Sequence, residues 1–218
     1  EMDRTLEALA AGDRLREAGD YAAAVAEYSE ALSCAPLSSD EAEILIRGRV
    51  MLGVSLTDLG EYEEALDMLD RAMTVVPENL RGIINREMAR AHLGLGKTES
   101  ATKHIFHAIQ MIPERDLAER GITLSCSGSI YASQSEMLRA LEVFGLADQL
   151  LQRGDNRQYE LYNLLDYLAA LLSNEEFIFA HSLVERAERL ARDVGNKSHE
   201  DRLAEMVLSI HKELARAD

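Results

Sequence analysis

The chain has 218 residues, 47% of them hydrophobic and 28% charged, with only three prolines, a balance that suits a folded helical protein and excludes disorder. Its formal charge of −16 excludes a sequence-independent grip on nucleic-acid phosphates, which Lys and Arg would have to supply, and repels an anionic membrane surface. No apolar run approaches the roughly 18 to 20 residues that span a bilayer, and EMDRTLEALAAGDRL at the start lacks a basic segment followed by an apolar one, so a cytoplasmic location is expected.

Apolar residues recur at helical spacing along almost the whole sequence, as in Leu6, Leu9 and Ala10 or Leu161, Leu164, Leu165 and Leu168. The pattern predicts helices over 3–17, 20–34, 39–59, 62–76, 79–94, 98–112, 114–133, 136–153, 157–173 and 175–194, and a last one over 198–216 after Gly195. Capping boxes are read at Ser38 with Glu41, Ser133 with Glu136 and Ser173 with Glu176. Cys34 and Cys126 have no nearby thiol partner and read as buried small apolar residues. Glu1 precedes Met2, which is expected of a fragment or of a one-residue addition.

Self-similarity at long period carries more information. Gly12, Leu15, Gly19-Asp20-Tyr21, Ala24, Tyr28, Ala31 and Pro36 return as Leu52-Gly53, Leu56, Gly60-Glu61-Tyr62, Ala65, Leu69, Ala72 and Pro77. A third copy runs Ala89, His92, Gly96, Ala101, Ile105, Ala108 and Pro113; a fourth has Gly128, Tyr131, Ala140, Phe144 and Ala147; a weaker fifth has Ala180, Val184 and Ala187. The alanines at 24, 65, 101, 140 and 180 step by 41, 36, 39 and 40 residues. Gly12, Gly53 and Gly128, with Ala24, Ala65, Ala101 and Ala140, are small where two antiparallel helices approach within about 8 to 10 Å. Tyr28, Leu69, Ile105 and Phe144 are expected to fill the space toward the next hairpin.

This pattern resembles the tetratricopeptide repeat, with Leu-Gly in a first helix and Ala-x-x-x-aromatic, Ala and Pro in a second. The chain departs from the family pattern in having no Trp and in repeats longer than the usual 34 residues, and such elongated repeats resemble those of bacterial regulators that sense peptides or partner proteins. The resemblance implies an all-α superhelix of antiparallel helix hairpins in one domain over 1–218, with repeats over 5–36, 39–77, 79–113, 114–153 and 157–194 and a capping helix over 198–216. Leu203, Met206, Val207, Ile210 and Leu214 supply the apolar stripe of that cap, for which a homodimer interface is the competing use.

The resemblance also implies that the first helix of each hairpin lines a concave, ligand-binding surface. In that register Arg47, Val54, Asn85, Arg86, Arg90, Ser125, Ser129 and Tyr162 face a protein or peptide partner. Arg47, Arg86 and Arg90 suit an acidic segment or a free C-terminus, because a guanidinium fork matches a carboxylate. The alternative is that they pair with Glu41, Glu43 or Glu87. Leu9 and Asp13 stand where a full carboxylate clamp would want Lys and Asn.

Tests for chemistry fail. His104 and His107 are three apart but lack further ligands and read as a polar helix face, while His92 reads as a packed core residue. Gly94-Leu95-Gly96-Lys97-Thr98 is a repeat turn rather than a phosphate loop. No cofactor, metal or catalytic constellation is expected. The expected function is a protein-interaction scaffold; a sensory domain of a bacterial regulator whose output domain lies elsewhere, or an oligomerisation module, are the alternatives.

Overall fold

A computed structural model describes residues 2–34 and 42–217. Among them are eleven helices and no strand: α1 (Met2–Ala18), α2 (Tyr21–Cys34), α3 (Ala42–Leu59), α4 (Tyr62–Met73), α5 (Glu78–Gly94), α6 (Thr98–Met111), α7 (Leu117–Ser133), α8 (Met137–Gly154), α9 (Arg157–Ser173), α10 (Phe177–Val194) and α11 (Lys197–Ala217). All the predicted helices are present. None of those described is long and apolar enough to cross a membrane. The chain forms two compact units, Glu1–Met111 with α1 to α6 and Ile112–Asp218 with α7 to α11.

One backbone turn recurs inside every hairpin. Gly19, Gly60, Gly96, Ser135 and Glu175 all have positive φ, between 59° and 93°. Each donates its N–H to the carbonyl three residues back, and the next residue donates to the carbonyl five back, as in Gly19 to Arg16 and Asp20 to Leu15. This pair of bonds satisfies the orphan carbonyls at the end of the first helix and reverses the chain. Five residues after each turn comes the fully buried alanine, Ala24, Ala65, Ala101, Ala140 or Ala180. The weak fifth copy is therefore a true repeat at the backbone level, and Gly96 has the turn role read from sequence.

The turn also corrects two of the capping boxes. Ser133 and Ser173 end α7 and α9 instead of starting the next helix, and their hydroxyls return to the carbonyls of Ile130 and Ala169. No side chain caps α8 or α10. Ser38 and Glu41 lie outside the described residues. Because a left-handed residue costs about 1 kcal/mol more for a side chain than for glycine, Ser135→Gly and Glu175→Gly should each raise unfolding stability by up to that amount in urea titrations.

Packing within hairpins follows a size rule. A Cβ on Gly12 would lie 2.7 Å from the Tyr28 ring, one on Gly53 2.7 Å from Leu69, and one on Gly128 2.8 Å from Phe144. The large residue of the second helix thus sits over the glycine of its own first helix and also reaches the next hairpin, as expected: Phe144 stacks on Tyr167 of α9, and Leu69 shares a core with Ile84 and Met88 of α5. At the same register the third hairpin carries Ala89 and Ile105, and the fifth carries Leu168 and Val184. The largest first-helix residue, Leu168, faces the smallest second-helix residue, Val184.

In the second unit the period is 40 residues. Asp116, Asn156 and Asn196 each accept the backbone N–H three residues on, capping α7, α9 and α11. The Asp116 cap moves the start of α7 to Leu117, later than predicted. Helix α11 therefore occupies the first-helix place of a further repeat. Its predicted stripe packs inward: Leu203 and Ile210 are buried, and Met206, Val207 and Leu214 lie against the same core. Where α9 buries Leu161, Leu164, Leu165, Leu168 and Leu171, α11 has Asp201, Ala204, Glu205, Leu208 and His211, a mostly polar outer face.

Candidate partner-binding face

In the first unit the first helices are joined by ion pairs about one repeat apart. Arg47 on α3 pairs with Asp13 on α1, and Arg90 on α5 pairs with Asp58 on α3 at 2.6 Å. Asp13 is held independently, since the Tyr28 hydroxyl on α2 donates to its other oxygen at 2.6 Å. Burial, reinforced by that hydrogen bond and the charge of Asp13, raises the Tyr28 phenol far above its ordinary range.

Deeper in the unit, Arg86 Nε donates to Glu87 Oε1 at 3.0 Å, and Arg90 donates to Glu87 Oε2 at 2.6 Å. Burial alone would push the Glu87 carboxyl up, but Arg90 and Arg86 together outweigh it and hold it below the ordinary range. The three predicted arginines thus have carboxylate partners, Asp13, Glu87 and Asp58. Of the carboxylates proposed as alternatives, Glu87 is the one engaged; Glu43 is exposed and Glu41 lies outside the described residues. Exposure separates the arginines: the Arg47 side chain is 54% exposed, Arg90 17% and Arg86 4%. Val54, partly buried, lies on α3 between them in sequence.

Asn85 faces a different neighbour. Its amide nitrogen donates to the Arg81 carbonyl at 2.9 Å, so its oxygen accepts from His104 Nδ1 at 2.9 Å. His104 stacks on His92 with ring centroids 5.2 Å apart and planes 16° apart. Burial lowers the pKa of both, Lys97 adding to the effect at His92, and His92 and His107 adding to it at His104. His104 is therefore part of a half-buried polar contact between α5 and α6, rather than the plain polar face expected from sequence.

In the second unit Ser129 on α7 donates to Asp166 on α9 at 3.2 Å, and Arg202 on α11 donates to the other Asp166 oxygen at 2.7 Å. Ser125 is wholly buried, with no hydrogen-bond partner for its hydroxyl. Tyr162 meets His199 edge to face at 6.0 Å. On the second helices Arg186 grips both oxygens of Asp148, at 2.6 and 2.7 Å.

Sequence reasoning missed Asp13, Asp58 and Asp166 as the partners that fix these side chains. A signal was present for Asp13: it lies six residues before its turn, as do Val54, Arg90 and Ser129 before theirs, which places all four at one register of successive first helices.

Among solved structures, the apo form of RapI superposes with a TM-score of 0.64 over 99% of this chain and 86% of its own, at 14% identity. A Rap protein complexed with competence and sporulation factor gives 0.62 over 99% and 66%, at 13% identity. Kinesin light chain TPR-like repeats of Podosopora anserina give 0.58 over 87% and 95%, at 15% identity. The fold is the tetratricopeptide repeat. No family model matches the chain. Its sequence is similar to the HTH-type transcriptional regulator MalT of Yersinia enterocolitica, 25% identical over 162 residues, 71% of this chain and 17% of that protein. MalT of Yersinia pestis is 24% identical over 139 residues, 61% of this chain and 15% of that protein. The chain thus spans under a fifth of the curated relatives it matches.

Proposed function

We propose that the chain is a protein-interaction scaffold that holds a peptide or protein segment against the first helices of its hairpins. Arg47 and Val54 lead the contact in the first unit, backed by Arg90, Arg86 and Asn85; Ser129 and Tyr162, with Ser125 behind them, carry it in the second. The observation that supports this reading best is the Arg47–Asp13 pair. Its guanidinium is more than half exposed, and Asp13 keeps the Tyr28 hydroxyl if Arg47 turns away. A surface ion pair contributes about 0 to 1 kcal/mol. A ligand carboxylate can therefore replace Asp13 at Arg47 at little cost, and the guanidinium fork favours an acidic segment or a free C-terminus. The tetratricopeptide-like fold and the Rap protein's complex with competence and sporulation factor are in keeping with a protein or peptide ligand.

The test is an array of peptides ending in acidic residues, as free acids and as amides, titrated against the wild type and Arg47→Glu. Arg47→Glu removes a pair worth up to about 1 kcal/mol at this exposed guanidinium and sets a carboxylate against an acidic ligand, so it should weaken the tightest peptide by about fivefold or more. Equal affinity for both proteins would refute the assignment of this face.

The similarity to MalT favours a second reading that is compatible with the first: the chain serves as the sensory part of a transcription regulator. Under that reading the ligand is a regulatory signal. A homodimer through α11 is the weaker alternative, because the stripe that would form it packs into its own unit. Light scattering that reports a dimer dispersed by Leu208→Asp would restore it.

A further inference from the structure

The geometry points to a metal site of two imidazoles, His181 on α10 and His211 on α11, that takes one divalent cation of the zinc or copper class. The two rings meet edge to face, with centroids 5.6 Å apart and planes at 62°. Both side chains are exposed. Among the described residues neither has a hydrogen-bond or ion-pair partner that would occupy its nitrogens.

Two imidazoles sharing one tetrahedral cation at about 2.0–2.1 Å have centroids about 5 Å apart. The observed separation is close to that, and the exposed side chains can complete the approach by small torsional changes. The tilt between the rings matters as much as the distance. Imidazole lone pairs lie in the ring plane, so tilted rings can aim them at one point, whereas rings stacked face to face cannot. His92 and His104, stacked at 16° with His104 Nδ1 committed to Asn85, fail that requirement although their centroids are closer.

The register supplies an independent reason to single out this pair. One 40-residue step earlier the same two positions hold Leu141 and Leu171, both in the apolar core. Ending a core requires polar residues at these places, but any polar residue would serve; here both are imidazoles in contact. No group of three or more His, Cys, Asp or Glu ligands occurs among the described residues, so the remaining coordination positions belong to water. Neutral imidazole is a ligand for zinc, copper or nickel, and not for magnesium or calcium. A bound cation would clamp α10 to α11.

Zinc chloride titrated calorimetrically into the full chain at neutral pH tests this, with His181→Ala, His211→Ala and the exposed His107→Ala compared. The expected result is one zinc per chain, affinity lower by about tenfold or more in either of the first two variants, no change in the third, and no response to magnesium. No zinc uptake by the wild type, or equal uptake by His181→Ala and His211→Ala, would overturn the assignment, as would a loss of the same size in His107→Ala.

Discussion

Glu87→Leu is expected to lower unfolding stability by about 3 to 5 kcal/mol, the range for removing one partner of a buried ion pair. Glu87 and Arg86 are each 3% exposed, and Glu87 is the carboxylate shared by Arg86 and Arg90. Taking it away leaves two guanidiniums close together in a region where water cannot screen them. The double variant Arg86→Met/Glu87→Leu should recover part of the loss, because an apolar pair of similar volume substitutes for a buried ion pair better than half of one does. Urea titrations of the wild type, both single variants and the double variant measure the coupling. The same carboxyl predicts a pH dependence. Its folded pKa is lowered, so its contribution is present above the unfolded value of about 4.3 and is lost as the pH falls through the lower folded value. Acid unfolding should therefore be less steep in Glu87→Leu than in the wild type.

Gly128→Leu is expected to cost about 3 kcal/mol, the upper part of the range for overpacking a core, because even a Cβ there would lie 2.8 Å from Phe144. The fifth hairpin indicates the remedy. It buries Leu168 and Val184 at the positions of Gly128 and Phe144. Gly128→Leu/Phe144→Val should therefore regain more than half of the loss, whereas Phe144→Val alone should be destabilising by leaving a cavity. Thermal unfolding of the three variants decides it. Additive losses in the double variant would show that the two positions do not share one space.

These two cases mark what was legible in the sequence. The hairpins could be read because the fold repeats one local solution: glycines over large side chains, buried alanines at a fixed distance from each turn, and apolar residues at helical spacing. Even the degenerate fifth copy keeps its alanine at position 180, although its turn residue is Glu175 where the first three copies have glycine. Helix starts were less legible. Ser133 and Ser173 have the composition of caps, yet the left-handed turn already satisfies the helix ends there, whereas Asp116, Asn156 and Asn196 do the capping at a spacing of 40 residues.

The candidate face was legible in position but not in chemistry. A charged residue and its partner about 34 residues away come together only when repeats stack, so Arg47 with Asp13 and Arg90 with Asp58 could not be paired from local pattern. The arginines read as a positive cluster are matched by Asp13, Asp58 and Glu87. What distinguishes Arg47 is therefore its exposure, not unpaired charge. Asn85, grouped with the arginines by sequence, is engaged by His104 on α6.

A partner that lies along the first helices of the hairpins shields their backbone amides from solvent. Amide hydrogen exchange of the full chain, with and without the tightest peptide from the acidic array, tests this most directly. Slowed exchange is expected along α3 and α5, around Arg47, Val54 and Arg90, with α4 and α6 unchanged. Protection confined to α4 and α6, with α3 and α5 unaffected, would contradict it.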